Sequence, residues 1–185
     1  MAYQNDQYFA KDDTSCGAIY FREPRRLLIC TGPPYNEEND KELANTVQNF
    51  QGKKIISGAT TGDIIARELD LQIEDSFEFD DPDLPPISYM TGIDLVTEGI
   101  LTLSKVADIL KNYTNDYVLK KGPADQIVKL LKDSDEIHFM IGTRINEAHQ
   151  DPNLPVDLEI RRTVVKRIAN TLENKFLKEV TLKFI

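Results

Sequence analysis

Four short runs of glycine, hydroxyl and charged residues hold the chemistry open to this chain. They are Thr31-Gly32-Pro33-Pro34, Ser57-Gly58-Ala59-Thr60-Thr61-Gly62-Asp63, Thr97-Glu98-Gly99 and Gly142-Thr143-Arg144. Glycine lets a ligand approach the backbone, or lets the chain take a positive φ. A threonine hydroxyl both donates and accepts. A strand–glycine–helix junction such as 57–63 leaves backbone N–H groups that suit phosphate or carboxylate. The run lacks the lysine of G-x-x-x-x-G-K-[ST] and the spacing of G-x-G-x-x-G, so neither nucleotide fingerprint is present. Asp63 would compete with an anion and suits a ribose, a sugar hydroxyl or a metal instead. An ordinary capped turn is the other reading of Gly58 to Asp63.

The candidate ligand-binding residues are therefore Thr31, Gly32, Ser57, Gly58, Thr60, Thr61, Gly62, Asp63, Thr97, Glu98, Gly142, Thr143, Arg144 and Asn146. Arg144, Asn146, Glu147 and His149 crowd a long polar loop, where Arg144 suits an anion and His149 an acid or base. Thr97 also reads as a helix N-cap. His138 alternates with apolar residues and reads as structural, and Arg161-Arg162 reads as a solvated helix face. No Ser-His-Asp order or Cys-His pair stands out, so no catalytic residue is assigned. Cys16 and Cys30 each sit in an apolar run and read as buried reduced thiols. With His138 and His149 they make no zinc spacing.

Strand and helix patterns set these runs in place. Residues 15–22, the run RRLLICTGPP up to its end in Gly32-Pro33-Pro34, residues 53–57, 71–79, 92–96 and 135–142 and the tail KEVTLKFI read as strands. Helical spacing covers 36–50, 63–70, a stretch from Thr97 through Leu110, a stretch opened by Gly122-Pro123, and 157–175. GATTG reads as a turn and 143–155 as a long loop. Strands and helices alternate from about residue 26, which predicts an α/β fold: an open, largely parallel sheet with helices on both faces. In a parallel sheet the four runs share one carboxyl edge, where such sheets bind ligands.

The 185 residues carry 22 Lys plus Arg against 31 Asp plus Glu, a formal charge of −9. That balance argues against duplex nucleic acid and against an anionic membrane surface. No stretch approaches a transmembrane helix, and the polar, acidic N-terminus is no signal peptide. These features favour a cytoplasmic protein, which is the expectation here.

Residues 11–22, KDDTSCGAIYFR, resemble the last strand of the stage II sporulation protein E family, metal-dependent serine/threonine phosphatases of the type 2C fold. Asp12-Asp13-Thr14-Ser15 followed by an apolar strand matches their final metal motif. The segments RRLLICTGPP, IISGATTGDIIARELD, GIDLVTEGILTLSKV and HFMIGTRINEAHQDPNLPVDLEIRR are similar to a C-terminal extension carried by some members. The resemblance implies that Asp12 is a ligand for Mn²⁺ or Mg²⁺ in the intact phosphatase domain. It implies a remnant of the last phosphatase strand at residues 1–24 and an appended α/β domain at 25–185. The chain has no Asp-Gly-x-Gly segment, and a two-metal site needs carboxylates from several strands. By itself the chain is expected to lack phosphatase activity.

Three functions follow as expectations. The first is a regulatory domain that binds a small phosphate- or hydroxyl-bearing ligand and biases an upstream phosphatase domain. The second is a metal-assisted phosphoryl-transfer enzyme using Asp63 or Glu98 with Thr60 and Arg144. The third is a docking domain, with the helix at 157–175 forming a homodimer or phosphatase interface.

Overall fold

The computed structural model describes residue 7, residues 15–144 and residues 154–185, with only the backbone described over 154–159. Seven strands form one sheet: β1 (Arg26–Thr31), β2 (Lys53–Ser57), β3 (Ile73–Asp75), β4 (Ser88–Met90), β5 (Leu95–Thr97), β6 (Glu136–Ile141) and β7 (Glu179–Phe184). Among the described residues five α-helices accompany it: α1 (Asp40–Asn49), α2 (Ala59–Leu69), α3 (Ile100–Asn112), α4 (Pro123–Asp133) and α5 (Leu154–Phe176). The strand order is β3-β4-β5-β2-β1-β6-β7. β5, β2, β1, β6 and β7 run parallel, whereas β4 is antiparallel to β3 and β5. The fold is thus the α/β sandwich that the alternation predicts.

Side-chain alternation along each strand explains the two-faced core. Leu27 and Ile29 of β1 pack with Leu103, Val106, Ile127, Leu131, Val165 and Ile168 of α3, α4 and α5. Leu28 and Cys30 pack on the other side with Leu43 and Val47 of α1 and Ile64 and Ile65 of α2. Because helices cover both faces, the central strands are continuous apolar runs. α4 starts with Pro123, whose missing N–H would have no intrahelical partner there. Among the described residues no helix is long and apolar enough to cross a membrane.

The chain steps from β1 to β2 to β5, then returns to place β6 on the far side of β1. That reversal puts the switch point of the sheet between β1 and β6, at the carboxyl edge where β1, β2, β5 and β6 all end.

Several elements differ from the sequence reading. Residues 15–22 form no strand: residues 15–25 are exposed and without regular structure. No strand of the sheet lies beside them to take their hydrogen bonds, and a strand needs such a neighbour. Cys16 is accordingly exposed, while Cys30 is buried as read. β4 escaped the sequence pattern because only three residues pair beside the proline-rich loop. The strand read at 92–96 is β5, displaced toward the carboxyl end by an Ile93 N–H to Met90 carbonyl turn. GATTG is helical from Ala59 on, with Gly58 alone as the cap.

Candidate functional site

The parallel register builds the site first. Thr31 pairs with Ser57, and Ser57 pairs with Thr97, so three adjacent strands end in a row of hydroxyls. By alternation these share the face of Leu27, Ile29, Ile55 and Leu95, toward α3 and α5. All three are nearly inaccessible. The Ser57 hydroxyl donates to the Glu98 carbonyl at 2.9 Å, as does Thr97, and the two side-chain oxygens are 3.4 Å apart. Thr97 is therefore a buried strand residue rather than a helix cap; Gly99 caps α3.

Two helices start directly above this row. Gly58 caps α2 and Gly99 caps α3, and neither makes a side-chain cap hydrogen bond. Gly62 N–H bonds to the Gly58 carbonyl at 3.0 Å, and Leu103 N–H to the Gly99 carbonyl at 3.1 Å. The amides of Ala59 to Thr61 and of Ile100 to Thr102 precede those first intrahelical bonds, so each helix presents donors and a partial positive charge there. The two starts share a pattern, Gly-x-x-Thr: Gly58-Ala59-Thr60-Thr61 and Gly99-Ile100-Leu101-Thr102. In each the threonine is buried and its hydroxyl has no hydrogen-bond partner. The Thr31 hydroxyl and the Glu98 Oε2 are also buried without a partner.

A cavity of about 650 Å³ opens over these groups. Its walls include Thr31, Gly32, Ser57, Gly58, Thr60, Thr61, Glu98 and Gly99, with Ile100, Leu101 and Ser104 of α3 and Ile160 and Arg161 of α5. Arg161 is the residue that the sequence reading put on a solvated face. Its guanidinium instead approaches the Gly142 carbonyl at 3.4 Å, and a Cβ on Gly32 would lie 2.7 Å from its Nη1. The signal that could have found it is position: α5 follows β6 across the switch point, so the start of α5 faces the end of β1.

Gly62 and Asp63 line a second cavity, also about 650 Å³, on the side of β3 and β4. The two cavities share Ala59 and Glu98. Phe77, Phe79 and Ile73 give the second an apolar wall.

The β6 run stands apart from both. A Cβ on Gly142 would lie 2.0 Å from the Pro33 carbonyl oxygen, so the β1 and β6 exits are pressed together. Thr143 donates to the Ile185 carbonyl at 2.8 Å, and Arg144 pairs with Glu37 at 2.6 Å. Neither lines either of these two cavities. Of the set Asp63, Glu98, Thr60 and Arg144, Thr60 lines the first cavity, Asp63 the second and Glu98 both, while Arg144 is paired with Glu37. Asn146, Glu147, His149 and Asp12 lie outside the described residues. His138 is half-buried, 3.0 Å from the Thr181 hydroxyl, consistent with a structural role. The loop after β1 is a poor anion site, since Pro33 and Pro34 lack N–H groups and the next turn carries Glu37 and Glu38. Among the described residues no group of three or more His, Cys, Asp or Glu side chains could hold a metal ion. Compared with protein-family models, curated proteins and solved structures, the chain gives no match.

Proposed function

We propose that this chain is a ligand-binding regulatory domain that holds a small, anionic, hydroxyl-bearing molecule at the carboxyl edge of its sheet. One observation carries the reading: the glycine-capped starts of α2 and α3 converge on a cavity lined by Thr31 and Thr61, two residues whose hydroxyls are buried and without a hydrogen-bond partner. Leaving a buried polar group unpaired costs about 1–3 kcal/mol. A ligand oxygen would relieve that cost, and the helix starts favour negative charge. Arg161 adds a cation to the wall. Glu98 accepts only, so it favours a ligand that also carries hydroxyl or amino donors.

Calorimetry and thermal shift with inorganic phosphate, ribose 5-phosphate and glucose 6-phosphate test the reading. Binding that raises the melting temperature supports it, and Thr61→Val should weaken that binding about tenfold. Silence from all three at a large excess overturns it.

In the intact protein, on this reading, the domain biases an upstream type 2C-like phosphatase. The support is the resemblance of residues 11–22 and the exposure of Ile19, Tyr20 and Phe21, which leaves apolar side chains for another folded unit to cover. Mn²⁺ or Mg²⁺ would belong to that upstream domain, with Asp12 as one ligand. The described residues supply no donor set for it. Mn²⁺-dependent turnover of a phosphoserine peptide by the 185-residue chain alone would refute the assignment of catalysis to the upstream domain.

A further inference from the structure

The cavity at the starts of α2 and α3 has a neighbour, with which it shares Ala59 and Glu98. On the other side of Ala59 and Glu98 lies the second cavity, of equal volume, within the range that ordinary small ligands occupy. Its chemistry is different. Phe77 and Phe79 stand at its wall yet remain 91% and 71% exposed. Folding leaves these two rings largely unburied, next to a concave apolar surface.

Its side-chain polar groups are also one-sided. Asp63, Asp75 and Glu98 are carboxylates, Ser76 and Ser88 are hydroxyls, and among the described residues no Lys, Arg, His, Asn or Gln lines the space. One oxygen of Asp75 already accepts from the Ser88 hydroxyl at 2.7 Å, while the Glu98 Oε2 is buried without a partner. A group bound here must therefore donate hydrogen bonds and present a flat or apolar body to the phenylalanines.

The rim is held in place. The loop at 76–87 is closed by the Ser76 N–H to Ile87 carbonyl bond at 2.9 Å. Further along, Leu84 is buried in the main core, and Asp81 takes two bonds from Lys105 Nζ at 2.9 and 2.7 Å. The anchors sit beyond the phenylalanines, so the rings are presented from a fastened loop.

We infer that one ligand spans both cavities, and that it is a nucleoside phosphate whose base carries amino or ring N–H donors. The inference rests on the anion reading of the first cavity. The phosphate sits at the starts of α2 and α3, sugar hydroxyls pass Ala59 and donate to Glu98, and the base stacks on Phe77 or Phe79 while donating to Asp63 or Asp75. The charge sequence along the path, two helix starts and Arg161 and then three carboxylates, matches an anionic end joined to a donor-bearing end. An inorganic anion would use only half of it.

The test measures dissociation constants by calorimetry for inorganic phosphate, ribose 5-phosphate, guanosine, GMP, AMP and UMP on the full chain. GMP or AMP is expected to bind at least about tenfold tighter than ribose 5-phosphate, since base–aromatic stacking contributes about 1–3 kcal/mol. Phe77→Ala, combined with Phe79→Ala where one ring substitutes for the other, should shrink that ratio below about twofold. Both side chains are exposed, so the variants fold, and circular dichroism checks this. Equal affinity for ribose 5-phosphate and every nucleotide, unchanged in the double variant, overturns the nucleoside inference and leaves the anion site standing. Tight binding of guanosine with none of phosphate or ribose 5-phosphate overturns the spanning arrangement. If no phosphate compound binds at all, the anion reading falls, and this inference falls with it.

Discussion

A Cβ placed on Gly99 would lie 3.5 Å from the Gly58 Cα, so the caps of α2 and α3 touch. The two glycines are not equivalent. Gly58 has φ 130°, a conformation that side chains resist, whereas Gly99 has φ −85° and room at ordinary contact distance. Gly58→Ala should destabilise the fold by about 1–3 kcal/mol through backbone strain. Gly99→Ala should stay within about 1 kcal/mol of the parent while narrowing the cavity mouth. Urea denaturation of the two variants side by side checks the contrast.

Thr31 and Thr61 make a sharper test of purpose. Their hydroxyls are buried and unpaired, and valine keeps their shape. In the absence of ligand, Thr31→Val and Thr61→Val should raise stability by up to about 1 kcal/mol. The same changes should weaken phosphate binding. A loss of stability in both variants would mean that the hydroxyls serve the fold instead.

Gly142 locks the two halves of the sheet at the switch point. A side chain there meets the carbonyl oxygens of Pro33 and Gly32 at 2.0 and 2.2 Å. Gly142→Ala must push the β1 and β6 exits apart, at a cost of about 1–3 kcal/mol or more. The denaturation midpoint should fall with an unchanged slope.

Asp135 fastens the exposed leading segment to the sheet. Arg22 reaches its two oxygens at 2.5 and 2.7 Å, and the Arg25 backbone N–H donates to it at 2.8 Å. The Arg22 side-chain hydrogen bonds, first, and the Arg25 backbone bond hold its carboxyl well below the usual carboxylate range. A lowered folded-state value stabilises the protein above the unfolded value, near pH 4, and the effect disappears as pH falls through the folded value. Asp135→Asn should therefore lower the melting temperature by a constant amount around neutral pH. The gap should close only in strong acid. Trypsin should also cut after Arg22 faster in the variant, since the pairing that holds the segment is gone.

The two thiols should behave oppositely. Burial pushes the Cys30 thiol up to about 12, so little thiolate forms at neutral pH. Cys16 is exposed. A thiol reagent at neutral pH should label Cys16 in the native chain and reach Cys30 only on unfolding. Cys16→Ser should abolish native labelling. Rapid native modification of Cys30 would contradict its burial.

Local pattern made much of this fold legible. The run KKIIS matches β2 residue for residue, and Gly122-Pro123 marks the start of α4. The apolar spacing of α5 reads correctly at Val164, Ile168 and Leu172. These features depend on neighbours in sequence, so the sequence exposes them. β4 and the unstructured leading segment were not legible, because pairing is a relation between distant residues. SYM becomes a strand only because β3 and β5 flank it, and GAIYF does not because nothing in the described sheet does.

By itself the sequence determined that several strands would end in turns rich in glycine and hydroxyl residues. The tertiary structure alone decided which of them meet. Parallel register aligned Thr31, Ser57 and Thr97 in one row, and the crossover after β6 carried Arg161 to the end of β1. The same crossover left Thr143 and Arg144 bonded elsewhere. Spacing along a chain sets what each residue can do; strand order and helix crossing fix the distances, and chemistry acts over distances.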